Sequence, residues 1–310
     1  EQWLSTASRR TLRPMSHAAP PLLHSTRLCD LHFESGKPLA AASGLVCLAD
    51  RVCVLGDDLN HLGVFDSHTR PGQRLRLLPG KLPKGLKARK RAKPDFEILL
   101  EWRGGLLALG SGSRPTRERA VHLPQLAAAP IAFALTPLYE RLRAELGPLN
   151  LEGALLQGEE LWLLQRGNAG GPLGNARIRL HASVLDGLLL GADLKSELGL
   201  RVEPMLLGEL DGVALGFTDA CALPGGHWLF SAAAKATDDA VADGLCTGSV
   251  IGLATPAGQV LQRWRVAGDY KVEGIDARAL PGRGLQLAMV CDADDPTRAS
   301  PLLLATVAAR

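Results

Sequence analysis

The stretch PLNLEGALLQGEELWLLQRGN, Pro148–Asn168, decides how this chain is read. A Glu-Gly pair, Glu152 and Gly153, opens an apolar run, and the turn QGEE reverses the chain. A second apolar run then follows, with Arg166 and Asn168 closing it. Two apolar runs of strand length separated by a glycine-bearing turn read as an antiparallel hairpin. The same order returns in SGLVCLADRVCVLGDDLNHLGVFD from Ser43, PDFEILLEWRGGLLALGSGS from Pro94, FTDACALPGGHWLFSAAAKATDD from Phe217 and YKVEGIDARALPGRGLQLAMVCDADD from Tyr270. Each unit has a small or acidic residue, a strand, a tight turn, a second strand and a polar tip: GDD, GSGS, QRGN, SAAAK or CDADD.

Self-similar units of roughly 50 to 65 residues, each of about four strands, match a β-propeller, in which every blade is one antiparallel sheet. The expected fold is therefore all-β: a single propeller domain over residues 1–310 with five blades, or six if residues 1–43 and 178–216 hide another. The last unit has three clear strands, KVEGIDARAL, LQLAMVCD and PLLLATVAA. The N-terminal PLLHSTRLCDLHF, which has no unit of its own, is expected to pair beside them. The ring would thus be closed by N- and C-terminal strands, removing two open sheet edges. Helical signal is confined to LTPLYERLRAELG, Leu135–Gly147, with Thr136 as the expected N-cap before Pro137 and Gly147 beyond the end.

Composition narrows the function classes. A formal charge of +3 over 310 residues, with 6 Phe, 2 Tyr and 5 Trp, offers little to a phosphate backbone or to base stacking, so nucleic acid is not the expected ligand. No run approaches the length of a membrane span. The six cysteines have no CxxC and lie mostly in apolar runs, which reads as buried free thiols in a reducing compartment. The cytoplasm is the expected location, with the periplasm as the alternative because a leader would precede Glu1.

In a propeller, equivalent residues of separate blades converge at one mouth of the channel. The units bring there Asp57, Asp58 and Asn60; Asp95, Glu97, Ser111 and Arg114; Asn150, Glu152, Arg166 and Asn168; Asp219, Ser231 and Lys235; and Glu273, Asp276, Asp292 and Asp294. A single acid at a strand start is ordinarily a turn residue. Glu97 in PDFE, Glu152 in LEGA and Glu273 in VEGI put a carboxylate at one register three times, which indicates a shared site. Hard oxygen donors around a pore suit Ca²⁺, with Mg²⁺ as the alternative. The expected metal ligands are Asp57, Glu97, Glu152, Glu273 and Asp292. Arg114, Arg166 and Lys235, with Asn168, would hold a small anionic molecule.

The motifs NLEGALL, LWLLQRGN, KPDFEILLEWRGGLLALGSGSRPTR and KVEGIDA resemble those of uncharacterised bacterial β-propellers, distantly similar to phytase-like and esterase-like propellers. The resemblance runs from about Gly44 to Asp294. It implies an acidic central face that holds calcium, lined by Glu97, Glu152 and Glu273 with Arg166 and Asn168 at the rim, and hydrolysis of phosphoesters or esters. The chain departs from true phytases in lacking a dense series of acids for a paired calcium centre, and Lys235 stands where an acid would help a metal.

The run GKLPKGLKARKRAKPDFE, Gly80–Glu97, carries seven basic residues before its first acid. It reads as a solvated interblade loop, or, if folded over the mouth, as a funnel steering anions toward Asp95 and Glu97. GSGS at Gly110–Ser113 is not a nucleophile elbow, because no helix follows, and GGPLGN lacks the Lys and Ser/Thr of a phosphate loop. Two functions follow. The first is a calcium-dependent hydrolase of phosphoesters, esters or lactones with Glu152, Arg166 and Glu273 as catalytic residues. The alternative is a non-catalytic propeller that binds a ligand or protein.

Overall fold

Most second strands of the units are apolar at consecutive positions, as in VCVL, LLAL and LWLL. That pattern means burial on both faces, and the fold supplies it. The computed structural model describes residues 19–66, 71–167, 174–194, 197–235, 246–280 and 284–308. The N-terminal segment gives β1 (Leu22–Leu23) and β2 (Ser25–Asp30). Blade 1 is β3 (Ala42–Cys47), β4 (Arg51–Gly56), β5 (His61–Asp66) and β6 (Gln73–Arg76). After α1 (Leu86–Ala92), blade 2 is β7 (Phe96–Trp102), β8 (Gly105–Gly110), β9 (Arg119–Leu123) and β10 (Ile131–Ala134). After α2 (Thr136–Leu146), blade 3 is β11 (Leu151–Gln157), β12 (Glu160–Gln165), β13 (Ala176–His181) and, beyond α3 (Ser183–Leu189), β14 (Arg201–Pro204). Blade 4 is a short β15 (Glu209–Leu210) leading into β16 (Val213–Ala222), β17 (Trp228–Lys235), β18 (Cys246–Ala254) and β19 (Val260–Val266). Blade 5 is β20 (Lys271–Leu280), β21 (Gly284–Asp292) and β22 (Pro301–Val307).

The five sheets make a five-bladed propeller. The innermost strands β3, β7, β11, β16 and β20 lie side by side around the axis, with β20 returning to β3. Residues 178–216, the candidate for a sixth blade, instead finish blade 3 and begin blade 4. Closure follows the expected route: β2 pairs antiparallel with β22 as the fourth strand of blade 5, from Ser25 opposite Ala305 to Asp30 opposite Pro301. Just before it, β1 adds in parallel to β19 of blade 4, so the N-terminal segment ties two blades together.

The core is divided among the five interfaces between blades. Ile98, Leu107, Leu151 and Leu163 fill the interface of blades 2 and 3, and Leu164, Phe217, Trp228 and Phe230 that of blades 3 and 4. Leu229, Ile251, Val272 and Met289 join blades 4 and 5. Cys53, Leu55, Phe96 and Leu106 join blades 1 and 2, and Leu31, Leu45, Val54 and Leu302 close blade 5 on blade 1. Because each interface is a sheet-on-sheet packing, the side chains of a strand serve two cores, one on each face.

Helix α2 begins at Thr136 with Leu135 in the cap position and no side-chain cap, so Thr136 is the first helical residue and not the N-cap. Gly147 ends it at φ 79°, a conformation that glycine adopts without a Cβ penalty. All six cysteines are free thiols, buried or half-buried. Among the described residues no helix is long and apolar enough to cross a membrane.

Candidate functional site

Each innermost strand carries a β-bulge at the same register. The residue left without a partner is Ser43 in blade 1, Glu97 in blade 2, Glu152 in blade 3, Thr218 in blade 4 and Glu273 in blade 5. A regular strand sends its side chains to the two blade faces, and a bulge re-aims one of them. The three glutamates line a central cavity. The two hydroxyls bond across to the next blade. Ser43 donates from Oγ to the Phe96 carbonyl at 2.6 Å, and Thr218 from Oγ1 to the Val272 carbonyl at 2.8 Å.

The glycine after the bulge has its own reason. A Cβ at Gly153 would lie 2.9 Å from the Asp219 Cα in blade 4, and one at Gly274 would lie 2.7 Å from Val290 Cγ2 and 3.1 Å from the Gly44 carbonyl carbon in blade 1. Glu-Gly in LEGA and VEGI therefore combines a carboxyl aimed at the axis with a close approach of neighbouring inner strands.

Two residues before each bulge a second ring forms: Ala41, Asp95, Asn150, Gly216 and Lys271. They face Asp57, Ser111, Arg166, Ala233 and Asp292 on the adjacent strands. These two rings and the bulge residues, Ser111 and Thr218 apart, line a cavity of about 140 Å³ at the channel mouth, and that lining is mainly polar.

Charge in the cavity is arranged in three groups. In the first, the Lys93 ammonium contacts Asp57 and lies 2.7 Å from Asp95 Oδ1. Arg117 Nη1, at 2.7 Å, and Ser111 Oγ, at 2.5 Å, donate to the other oxygen of Asp95. In the second, Lys271 Nζ lies 3.1 Å from Glu273, 2.7 Å from Asp292 and 2.9 Å from Asp294. In the third, Glu152 accepts from Asn150 Nδ2 at 2.6 Å and faces Arg166 at 3.6 Å. Arg166 has room to reach the axis because residue 216 is glycine: a Cβ there would lie 2.8 Å from Arg166 Nε.

Burial of so many acids raises their proton affinity. Glu152 is pushed up to about 7 by burial, against the pull of Arg166 and with the added repulsion of Glu273 and Asp95. Burial and the charges of Asp95, Glu152 and Asp57 push Glu97 well above the usual carboxylate range. Asp57 rises to about 6 and Asp292 to about 7, in each case through burial that outweighs Lys93 and Lys271 respectively. Burial works against the charge on Lys93, but the carboxylates of Asp57, Asp95 and Glu97 outweigh it and hold the amine protonated.

Asp57, Glu97, Glu152, Arg166, Lys235, Glu273 and Asp292 all line the cavity. Arg114 does not; it precedes the 3-10 turn Pro115–Arg117, and one turn later Arg117 reaches the cavity in its stead. Asn168 lies outside the described residues. The five expected metal ligands do not form one shell. Among the described residues, Asp57, Asp95 and Glu97 bring oxygens within 4.8 Å of one another, whereas Glu273 and Asp292 gather on Lys271. Several collected acids serve the backbone. Asp219 accepts from Ile275 N at 2.9 Å and Asp276 from Cys47 N at 2.7 Å, each tying its blade to the next.

Sequence reasoning missed Lys93, Arg117, Lys271 and Ser43. The sign of Lys271 was present, since a polar residue stands two before each glutamate in DFE, NLE and KVE. The basic run is no detached loop, because Lys90 and Lys93 are in the cavity wall.

A family profile matches residues 38–307, from just before β3 to the last residue of β22. The chain belongs to the family of unknown function DUF6929. No curated protein matches it significantly. Similar solved structures include one described as a putative gluconolactonase, 14% identical over 92% of each chain with a TM-score of 0.43. Another is a GH62 α-L-arabinofuranosidase catalytic domain of Coprinopsis cinerea, 11% identical over 92% of this chain and 96% of that one, with a TM-score of 0.48. A thermostable family-43 glycoside hydrolase is 9% identical over 92% and 94%, with a TM-score of 0.49. At these identities the site itself has to carry the functional argument.

Proposed function

We propose that the cavity hydrolyses a carboxylic ester or lactone of a small polar molecule by proton transfer between two carboxyl groups. The observation that carries this reading is the shared bulge register, which puts Glu97 and Glu152 from adjacent blades into one cavity with Arg166. Burial raises the proton affinity of both, and two neighbouring carboxyls of raised affinity can supply an acid and a base. Glu152, poised near neutral pH, takes a proton from the attacking water as the new C–O bond forms. Arg166 stabilises the negative charge that develops on the carbonyl oxygen. Glu97, whose burial beside Asp95, Glu152 and Asp57 favours the protonated form, gives its proton to the alkoxide as the old C–O bond breaks. Glu273 serves as a charge partner rather than a base, because Lys271 holds it. Lys90 and Lys235 give the cavity wall positive charge suited to a substrate carboxylate.

A panel of aryl esters and sugar lactones tests the reading, with rates measured from pH 5 to 9. Glu152→Gln is expected to lower kcat by about 10²–10⁴-fold while the wild-type profile bends near pH 7. Turnover unchanged by Glu152→Gln and Glu97→Gln would remove the proposal. In that case the alternative, a binding propeller, gains from ligands that bind without being consumed.

A further inference from the structure

A cluster of Asp57, Asp95 and Glu97, with oxygens within 4.8 Å of one another, is a donor set that hard divalent cations favour. Its chemistry in this protein is different. We infer that Lys93 is a built-in cation occupying the place of a divalent metal in this cluster, and that the same contact latches the basic segment before β7 over the channel mouth.

Three observations converge on Lys93. It contacts Asp57 and lies 2.7 Å from Asp95, with only 13% of its side chain exposed, so its ammonium sits among the oxygens a metal would use. Asp95 accepts from Lys93 on one oxygen and from Arg117 and Ser111 on the other, so a divalent cation on this carboxylate would sit directly against the Lys93 ammonium of a buried ion pair. The backbone is bent to make this arrangement. Asp95 adopts φ 54°, a left-handed conformation, immediately after Pro94. Aspartate visits that region more readily than most residues, but it remains unfavourable, and the contacts to Lys93, Arg117 and Ser111 offset it.

An ammonium is a compact point charge with three donors, suited to several carboxylate oxygens at once. Being covalently tethered, it needs no free ion and is indifferent to a chelator. It also stands at the end of α1 in the C-cap position, so the pair that neutralises the cluster anchors the helix. Two further contacts hold the segment. Arg89 Nε lies 3.0 Å from Asp58 Oδ2, and Arg117 Nη2 donates to the Lys90 carbonyl at 3.2 Å. The calcium implied by resemblance to phytase-like propellers therefore does not fit this cluster while Lys93 is in place. This inference concerns the cluster's cation and stands independently of whether the cavity hydrolyses esters.

The test is calorimetric titration of CaCl₂ and MgCl₂ into chelator-treated full-length protein, with thermal unfolding measured in parallel. Wild type, Asp57→Asn, Glu97→Gln, Lys93→Met, Lys93→Gln and the double variant Lys93→Met with Asp57→Asn are compared. Wild type is expected to show no saturable heat in the millimolar range and no shift in Tm. The two single variants, folded by circular dichroism, are expected to gain one Ca²⁺ site with Kd on the order of 10⁻⁴–10⁻³ M and a Ca²⁺-dependent rise in Tm. The double variant is expected to lose both. Wild-type Ca²⁺ binding that Asp57→Asn or Glu97→Gln abolishes would overturn the inference, as would folded Lys93 variants that gain no site. If Lys93→Met does not fold, the wild-type titration and Lys93→Gln decide by the same criteria.

Discussion

Glutamine at position 152 imitates the protonated carboxyl, which isolates the cost of ionising Glu152 inside the cavity. Its proton affinity rises from the ordinary 4.5 to about 7 in the folded chain. Between those values the folded state binds more protons than the unfolded state, so stability falls as pH rises through this window. At about 1.4 kcal/mol per unit, the group costs about 3 kcal/mol once the pH is above 7, and nothing below about 4.5. The side chain is only 9% exposed, so solvent screening takes little from that figure. The attraction of Arg166 for the ionised carboxyl is already contained in that proton affinity. The expected result is a wild type that loses about 3 kcal/mol relative to Glu152→Gln between pH 4.5 and pH 8, read from urea unfolding at fixed ionic strength. Stability curves that run parallel across that range would refute the reasoning.

The remaining predictions concern the elements that aim the site. In Gly216→Ala the new Cβ meets Arg166 Nε at 2.8 Å and Cγ at 3.0 Å, so the guanidinium has to move. The expected outcome is an unchanged circular dichroism spectrum, a pH–rate bend shifted upward as Glu152 loses its cation, and a fall in kcat of at least about tenfold. Thr218→Val leaves the Val272 carbonyl and Ser231 without their partner and should cost about 1–3 kcal/mol in urea unfolding. Deleting residues up to Asp30 removes β1 and β2 and exposes β22 as an open edge; light scattering should then show association at concentrations where the full chain is monodisperse.

The parts of this molecule that were legible in the sequence are those written within one blade. The five units, the tight turns and the Glu-Gly pairs are local. The closing strand could be inferred because blade 5 lacked a fourth strand and PLLHSTRLCDLHF lacked a unit. Glu97, Glu152 and Glu273 could be aligned because they share both chemistry and register. Ser43 and Thr218 hold the same register but escaped notice, since a hydroxyl bonded to the next blade does not look like a carboxyl aimed at a cavity. Lys93 and Arg117 were hidden for another reason. Lys93 meets Asp57 across 36 residues that hold β5, β6 and α1, and Arg117 meets Asp95 only because the 3-10 turn after Arg114 brings the later arginine inward. Helices α1 and α3 have seven residues each, too few for a helical period to show against the surrounding charge and glycine.

The central claim, that Glu152 is a proton-exchanging group at neutral pH, is open to direct measurement by carbon-13 NMR. Protein labelled at the glutamate side-chain carboxyl carbons would be titrated from pH 4 to 9, with the Glu152 resonance assigned by its loss in Glu152→Gln. A Glu152 midpoint near 7 is the predicted result. A midpoint close to the ordinary 4.5 would show the carboxyl fully ionised at neutral pH and contradict the account.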